Sequence, residues 1–476
     1  MTTNKNLKKV VITGGAGFIG SNLTKKLIDN DAEKILIIDD FSTGKMSNIE
    51  RFLDDDKISL IDKRVEDCDD LDILISGYDF CFHLAAGVGV QYIMDNVSKA
   101  LLTNIEGTHK IIESCKKNNI PLLITSTSEV YGVSNDPVWT EETKSLIGPP
   151  TKLRWSYAAS KLIDEFLALS EYNDGNLNPI VVRLFNIIGP NQLSEFGMVV
   201  PKFIEAALKN EDIVIHGEGL QTRSFTWVGD VVNYFYLLAE KQLYGEIFNI
   251  GQTEEISIKD LASMIIKETG SHSKIVFKDH EEIYGNKFED PMRRTPSIDK
   301  IVKATGYMPS MAISDMVKEI IKYNKYGELA GLVFQQEMEK MAWEAGGKTQ
   351  AAPAQRMVDF NIGKLSNTLN DCSYIPGINS APLHELLPSM ISNRLQEGFM
   401  IFGRKMKGYF TNEANILGVE SRTSSPVRIP RDKVLLSHPQ IKNLYPCGEG
   451  AGYAGGIVSA AIDGERCADA IHRSLA

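Results

Sequence analysis

Tyr157 and Lys161 are the pair of residues in this chain whose types and spacing best suit proton transfer. They lie in a stretch with a helical pattern, Ser156–Tyr172, so their side chains share one helix face a single turn apart. A lysine ammonium near a phenol favours the phenolate and lowers the pKa of the tyrosine. The chain has 16 tyrosines, so a Tyr-x-x-x-Lys pair also arises by chance and needs support from elsewhere.

That support comes from a run of hydroxyl and acidic residues about thirty positions upstream, Ser126–Gly132. It follows a short apolar strand, and α/β sheets bind ligands at the carboxyl ends of their strands. Thr127 or Ser128 could hydrogen-bond a reacting hydroxyl. Glu129 could serve as an acid, a base or an electrostatic group, and the alternative is a surface acid with no role.

A glycine-rich turn lies near the start, with the spacing Gly14-x-x-Gly17-x-x-Gly20 between an apolar strand and a helical stretch. Such a turn brings a pyrophosphate to backbone N–H groups at a helix N-terminus. Asp39 and Asp40 follow about twenty residues later, where an acid accepts hydrogen bonds from the ribose 2′-hydroxyl of adenosine. These residues predict NAD rather than NADP.

Strand-like and helix-like segments alternate in the first half, which predicts a doubly wound parallel sheet of the Rossmann type. We expect a smaller α/β substrate-binding region after about residue 190 and a domain boundary near residue 326. The expected strands are Val10–Thr13, Ile35–Asp39, Ser59–Ile61, Phe80–Leu84, Leu122–Ser126 and Ile180–Leu184. The expected helices are Ser21–Asn30, Asn104–Asn118, Ser156–Tyr172 and Asp315–Asn324.

Composition limits the classes of partner. The 476 residues carry a formal net charge of −11, which argues against nucleic acid or an anionic membrane as a main partner. Six cysteines show no Cys-x-x-Cys pair, so we expect free thiols in a reducing cytoplasm and no metal site. No apolar run approaches the length of a membrane span, and the polar start has no signal-peptide core.

Residues 8–325 closely resemble the extended short-chain dehydrogenases that modify nucleotide sugars, namely epimerases, 4,6-dehydratases and decarboxylases. The resemblance rests on the segments already described, on His83-Leu84-Ala85-Ala86 and on residues 183–190. It implies bound NAD and a transient 4-keto sugar. The positions matching cofactor contacts are Gly14, Gly17, Phe18, Ile19, Gly20, Asp39, Asp40, Ser42, Gly44, Val65, Leu84, Ala85, Ala86, Asn104, Tyr157 and Lys161.

The resemblance also implies residue roles. Tyr157 would take the proton of the C4 hydroxyl, Thr127 would share that hydroxyl, and Lys161 would hold the ribose and tune Tyr157. Ser128, Glu129 and Arg294 complete the expected catalytic set. The expected substrate contacts are Asn186, Val200, His216, Arg223 and Arg294, of which the arginines would hold the diphosphate or sugar and His216 would stack on the nucleobase.

One departure from the family concerns the adenine. Many members carry an aspartate for the adenine edge where this chain has Arg64, so adenine contacts at that position are an open question.

The reaction is narrowed by two features. Thr127-Ser128-Glu129 and the run Arg154-Trp155-Ser156-Tyr157 look most like decarboxylases that act on UDP-glucuronate. A 4-epimerase and a 4,6-dehydratase are the alternatives within the family. Outside it, the alternatives are a non-catalytic protein that binds nucleotide sugars and a bifunctional NAD and FAD oxidoreductase. Relatives of the first domain commonly dimerise through the Tyr157 helix, so a homodimer is expected.

The last part of the chain, residues 328–476, resembles something unrelated: the C-terminal part of a FAD-dependent dehydrogenase family. The similarity rests on residues 351–356, 418–428 and 444–456, and it implies an α+β fragment with a final helix over 456–475. The family's N-terminal glycine fingerprint is absent after residue 326, so a complete FAD site is not expected. The expected domains are thus 1–190 (with 226–255 returning to it) for NAD, 191–325 for substrate, and 326–476.

Overall fold

The computed structural model describes residues 7–53, 55–87, 93, 97–134, 136–194, 198–278, 292–421 and 425–475. The chain divides into two compact units, Met1–Ile321 and Lys322–Ala476. The division falls a few residues before the boundary expected near residue 326.

A seven-stranded parallel sheet forms the centre of the first unit, with the strand order β11-β6-β5-β4-β1-β2-β3. Its strands are β1 (Lys9–Thr13), β2 (Lys34–Asp39), β3 (Ile58–Asp62), β4 (Phe80–His83), β5 (Leu122–Thr127), β6 (Pro179–Leu184) and β11 (Glu246–Ile250). The six strands expected from the sequence are all present, within a residue at most ends. The seventh, β11, lies in the segment that was expected to return to the first domain.

Helices cover both faces of this sheet. Alternate side chains of β1 enter two different cores, because Val10 and Ile12 pack on one face and Val11 on the other. The helices of the unit are α1 (Phe18–Asp29), α2 (Leu71–Leu74), α3 (Val97–Asn118), α4 (Trp155–Asn173), α5 (Val199–Leu208), α6 (Val228–Glu240), α7 (Ile258–Thr269), α8 (Asp299–Thr305) and the first part of α9 (Ile313–Tyr326), which continues past the division at Ile321. Strands buried on both faces read as continuous apolar runs, which is why the sequence revealed them.

Smaller sheets follow the sixth strand, as the change in sequence texture after residue 190 indicated. Their pairs and triplet are β7 (Ile187–Ile188) with β10 (Thr226–Trp227), β8 (Ile213–His216) with β13 (Ile275–Lys278), and β12 (Glu255–Ser257), β9 (Thr222–Ser224) and β14 (Arg293–Arg294) in that order. A third apolar core forms here around Phe203, Leu261 and Met316. The expected Rossmann-type fold with a smaller α/β region is confirmed.

The second unit is an α+β arrangement, as expected. Its three-stranded sheet has the order β16-β15-β17, with β15 (Ala352–Arg356), β16 (Ile378–Ser380) and β17 (Asn415–Leu417). Its helices are α10 (Ala330–Ala345), α11 (Met357–Asn361), α12 (Leu383–Leu386), α13 (Ser389–Lys405) and α14 (Ile457–Leu475). Residues 422–424 of the quoted 418–428 motif lie outside the described residues. Among the helices that the structure describes, none is long and apolar enough to cross a membrane.

Candidate active site

The glycine turn joins β1 to α1 and packs closely against neighbouring backbone. Gly14 has a φ of +72°, and a Cβ atom there would lie 2.8 Å from the backbone nitrogen of Ala85. A Cβ atom on Gly20 would lie 2.2 Å from the carbonyl oxygen of Gly14. No larger residue fits either position. Gly14, Gly17 and Gly20 also line the cleft described below, so this glycine cradle presents backbone at the N-terminus of α1, where a pyrophosphate such as that of NAD binds favourably.

The two aspartates after β2 make different contacts. The Asp39 carboxylate accepts hydrogen bonds from the backbone N–H groups of Ala16 at 2.8 Å and Phe41 at 2.9 Å, which ties the strand end to the glycine turn. Burial raises the pKa of Asp39. Asp40 accepts hydrogen bonds from the Ser42 hydroxyl at 2.6 Å and from Arg64 at 3.1 Å.

Burial also tends to raise the pKa of Asp40, but the hydrogen bonds from Ser42 and Arg64 outweigh it and lower the pKa below its usual value. Arg64, the residue that departs from the family, is thus held by Asp40 at the edge of the cleft.

A cleft of about 550 Å³ runs from this turn across the carboxyl ends of the strands. Most of the expected site residues line it. They are Gly14, Gly17, Phe18, Ile19, Gly20, Asp39, Asp40, Ser42, Val65, Leu84, Ala85, Ala86, Thr127, Ser128, Glu129, Tyr157, Asn186, Val200, His216, Arg223 and Arg294. Residues scattered over almost three hundred positions of sequence therefore share one cavity.

Three of the expected residues lie behind this lining. Gly44 allows its loop to approach the glycine turn, since a Cβ atom there would lie 2.9 Å from the carbonyl carbon of Ala16. Asn104 is buried and accepts a hydrogen bond from Gly87 N–H at 2.8 Å. Lys161 is also buried, with 1% of its side chain exposed.

One corner of the cleft, the Glu129 corner, is formed by Glu129 and two arginines. Thr127 ends β5, and its hydroxyl accepts a hydrogen bond from the backbone N–H of Glu129 at 3.2 Å, which starts a short helical turn. One Glu129 oxygen, Oε1, is 3.4 Å from Arg154 and 3.3 Å from Arg294. A carboxylate between two guanidinium groups, partly exposed to the cleft, can exchange these contacts for those of an anionic substrate. Sequence reasoning gave Arg154 no role of its own.

A second pair of arginines occupies paired positions on two neighbouring strands. The parallel pairing of β9 and β14 places Arg223 directly beside Arg294. Both are buried among the cleft residues. Like charges at paired positions repel each other, and an anionic group between them relieves the repulsion. This concentration of positive charge suits the diphosphate of a nucleotide sugar in an otherwise acidic protein.

The structure corrects one expectation about Tyr157. Its pKa is raised, not lowered, because burial disfavours the phenolate and because the carboxylates of Glu129 and Asp164 repel it. The ammonium of Lys161 contacts Oδ2 of Asp164 at 3.1 Å. Its positive charge is therefore largely balanced by that carboxylate rather than available to the phenol. Asp164 carries no signal in the sequence beyond its position three residues after Lys161.

Helix α4, which carries Tyr157, is fixed to the sheet by a buried ion pair. Arg183 on β6 donates two hydrogen bonds to Glu165, at 2.9 Å and 2.7 Å. The hydroxyl of Ser126 donates a third at 2.5 Å. Because Ser126 precedes Thr127, this contact sets the helix against the strand end that bears the other catalytic candidates. The sequence analysis did not single out Glu165.

A family model described as the NAD dependent epimerase/dehydratase family matches residues 10–251. This segment contains the glycine turn, the Ser126–Gly132 run and the Tyr157 helix. The chain belongs to this family. The cradle that excludes a Cβ atom and the acids that follow β2 fit the family's cofactor.

Individual members of the family resemble the first unit along nearly its whole length. The UDP-N-acetyl-alpha-D-glucosaminuronate decarboxylase of Bacillus cytotoxicus is 36% identical over 317 residues, which cover 66% of this chain and 97% of that protein. The UDP-glucuronic acid decarboxylase 1 of Xenopus tropicalis is 32% identical, over 67% of this chain and 73% of that protein.

A solved structure with similar features is the UDP-glucuronic acid 4-epimerase of Bacillus cereus in complex with UDP-glucuronic acid and NAD. It has a TM-score of 0.61 and 28% identity, and the match covers 67% of this chain and 99% of that one.

A second family model, described as FAD-dependent protein, C-terminal domain-like, matches residues 308–423. The expected resemblance of residues 328–476 to a FAD-dependent family is thus confirmed over residues 328–423, and the match begins 20 residues before the expected start. The later glycine turn, Gly448–Gly456, lies beyond the match.

Proposed function

We propose that the first unit decarboxylates a UDP-linked hexuronic acid, with NAD as a recycled oxidant and a 4-keto sugar as the intermediate. The observation that carries this proposal is the position of Glu129 between Arg154 and Arg294, at 3.4 Å and 3.3 Å, in the cleft that also contains Tyr157. Such a corner can bind and orient a substrate carboxylate close to the group that removes the C4 proton. The decarboxylases among the relatives support the same choice.

The cleft residues then perform the following steps. Tyr157 takes the proton of the C4 hydroxyl, and Thr127 holds the hydroxyl oxygen during the transfer. NAD bound in the glycine cradle would supply the oxidant for C4 and the hydride for its later reduction. The resulting ketone lies β to the carboxyl group, so the electrons of the C5–C6 bond can move towards the ketone oxygen as carbon dioxide leaves. The enolate formed in this way takes up a proton from solvent at C5, which restores the ketone before C4 is reduced. Arg154 and Arg294 orient the carboxylate, and Tyr157 returns its proton when C4 is reduced.

The remaining residue assignments belong to the same proposal. Asn186, Val200 and His216 contact the nucleotide sugar, and Arg223 holds its diphosphate. Their support is that they line the same cleft as the catalytic candidates.

A 4-epimerase and a 4,6-dehydratase remain the alternatives. Epimerisation at C4 uses the tyrosine and the cofactor and does not need the Glu129 corner. A dehydratase would use Glu129 to remove the C5 proton. The three reactions give different products, so one experiment separates them.

The purified chain is incubated with UDP-glucuronate, UDP-N-acetylglucosaminuronate and UDP-glucose, and the products are analysed by mass spectrometry and chromatography. We expect loss of carbon dioxide from a uronate. Loss of water, or a new isomer of unchanged mass, identifies the alternatives. Tyr157→Phe is the control and should abolish any product. If no sugar is converted although each binds, the protein is non-catalytic.

We also propose that the first unit forms a homodimer through α3 and α4. Apolar side chains on these helices are exposed in the single chain: 67% of Phe166, 42% of Ile163 and 55% of Leu102. Exposed apolar groups clustered on a helix pair are typical of an interface between subunits. The acidic net charge of −11 supports the further proposal that nucleic acid is not a partner. The six free cysteines support a reducing, cytoplasmic location.

For the second unit we propose a fragment of a flavoprotein fold without a complete FAD site of its own. Three apolar side chains of α14 are exposed, namely 91% of Ile457, 73% of Val458 and 81% of Leu475. A helix of a complete domain would bury such side chains against a neighbour. The absorbance spectrum of the purified protein tests this proposal, because stoichiometric bound FAD would contradict it.

A further inference from the structure

Lys161 and Asp164 form an ion pair inside the first unit, one turn apart on α4. The Lys161 ammonium is 3.1 Å from Oδ2 of Asp164, and the two side chains are 1% and 0% exposed. Removing two charges from water is costly unless they compensate each other. The Asp164 carboxylate therefore fixes the position of the Lys161 ammonium, although Asp164 does not line the cleft.

A chain of buried polar groups continues from this pair towards the glycine turn. The hydroxyl of Thr108 faces the Asp164 carboxylate. Thr108 is also 3.0 Å from Nε2 of His83, whose Nδ1 is 2.7 Å from the hydroxyl of Thr13. Burial and the Lys161 ammonium lower the pKa of His83 to about 3, so His83 is neutral at physiological pH. The carboxylate that balances Lys161 in this network is that of Asp164.

The neighbouring carboxylates have other partners. Glu165 follows Asp164 in the chain, but both of its oxygens accept hydrogen bonds from Arg183. Glu129, across the cleft, lies against Arg154 and Arg294. Burial raises the pKa of Asp164, and the Lys161 ammonium opposes that rise.

Tyr157 is exposed to the combined field of these groups. Lys161 and Asp164 are on its own helix, and Arg154 immediately precedes that helix. Glu129 lies in the turn after β5, and Arg294 lies on β14. The carboxylates of Glu129 and Asp164 both disfavour its phenolate. A charge on Asp164 therefore acts on Tyr157 in two ways: it repels the phenolate directly, and it neutralises the ammonium that would stabilise the phenolate.

We propose that Asp164 is a positioning residue that holds the Lys161 ammonium on the helix side of the site and thereby sets the pH range in which Tyr157 accepts a proton. The proposal rests on the proposed function only in taking Tyr157 as the base. The Tyr-x-x-x-Lys motif does not require an acid at position 164. Asp164 would therefore affect the site through its charge and not through a contact with the substrate.

A neutral side chain at position 164 makes the direction testable. In Asp164→Asn the phenolate loses a repelling charge and gains the uncompensated field of Lys161. The midpoint of Tyr157 ionisation should fall by about one pH unit, the usual size of an effect from one nearby charge. Because the phenolate is the active form of the base, the acidic limb of the kcat/KM profile should move to lower pH by the same amount.

The ionisation is measured by ultraviolet difference titration of the phenolate, with Tyr157→Phe versions subtracted to isolate Tyr157 from the other tyrosines. This readout needs no substrate, so it holds even if the reaction assigned above is wrong. Asp164→Ser is a second neutral variant of different shape and should show the same shift. Asp164→Glu keeps the charge, so its Tyr157 ionisation midpoint should stay at that of the unsubstituted chain.

Asp174→Asn is the matched control, because Asp174 is an exposed acid at the end of the same helix. It should leave the midpoint unchanged. Folding of each variant is checked by circular dichroism. An unchanged or raised midpoint in both neutral variants overturns the proposal, as does an equal shift in Asp174→Asn.

Discussion

Replacing Glu129 by glutamine separates the contribution of this carboxylate to catalysis from its contribution to stability. Its contacts with Arg154 and Arg294 are 3.4 Å and 3.3 Å long, and 17% of its side chain is exposed. Charge-assisted hydrogen bonds usually measure about 2.7–2.9 Å, so these contacts are loose. The partners are mostly buried, with 3% of the Arg154 side chain and 9% of the Arg294 side chain exposed. Because the contacts are loose, we expect them to contribute less to the free energy of unfolding than the roughly 3–5 kcal/mol of a tight buried pair.

The same carboxylate positions Arg154 and Arg294, the groups that we propose orient the substrate carboxylate. A misplacement of about 1 Å in a group that orients the substrate can lower the rate about 10²-fold. We therefore expect Glu129→Gln to lower kcat/KM for UDP-glucuronate about 100-fold, while the free energy of unfolding falls by less than about 3 kcal/mol.

Glu165 is the matched control, because its replacement should lower the stability more and the activity less than replacement of Glu129. Its bonds from Arg183 are 2.7 Å and 2.9 Å, and 3% of its side chain is exposed. Breaking a buried ion pair by removing one charge costs about 3–5 kcal/mol. Glu165→Gln should thus lower stability by about that amount, and its folded fraction should retain more activity than Glu129→Gln.

Urea unfolding followed by fluorescence gives the stabilities, and release of carbon dioxide from UDP-glucuronate gives the rates. The reasoning is refuted if Glu129→Gln loses as much stability as Glu165→Gln, or if it keeps close to full activity while Glu165→Gln does not.

Three further predictions concern the cofactor, the interface and acid stability. Gly20→Ala should abolish NAD binding in calorimetric titration, because its Cβ would lie 2.2 Å from the Gly14 carbonyl oxygen; unchanged affinity would contradict the cradle. Phe166→Asp should convert a dimer to a monomer in sedimentation velocity, and an unchanged sedimentation coefficient would exclude this helix from the interface. His83 has a pKa of about 3 in the folded protein and about 6.5 in the unfolded chain. Between these values the unfolded chain binds more protons, so the free energy of unfolding decreases as the pH is lowered. Between pH 6.5 and pH 5, His83 should account for about 2 kcal/mol of lost stability, which urea unfolding of His83→Gln should not show.

Much of the fold was readable from the sequence because a parallel sheet covered on both faces requires continuous apolar strands. All six expected strands appear, and the helix that carries Tyr157 and Lys161 spans Trp155–Asn173, close to its expected bounds. The glycine spacing was equally informative, because the conformation of Gly14 and the close approach at Gly20 depend on local geometry alone.

The electrostatics of the site were not readable in this way. The sequence suggested that Lys161 lowers the pKa of Tyr157, but in the structure its ammonium faces Asp164 and the pKa of Tyr157 is raised. The sign of such an effect depends on burial and on every charge within a few ångströms, and neither follows from spacing along one helix.

The sequence by itself therefore determined the fold class, the cofactor and the family, because each depends on short segments whose residues act on their own neighbours. Only the tertiary structure decided which charges meet. It placed Arg154 and Arg294 on Glu129, and Arg223 beside Arg294. Residues from separate strands and helices come together only when the sheet is assembled, and the chemistry of the cleft follows from those encounters.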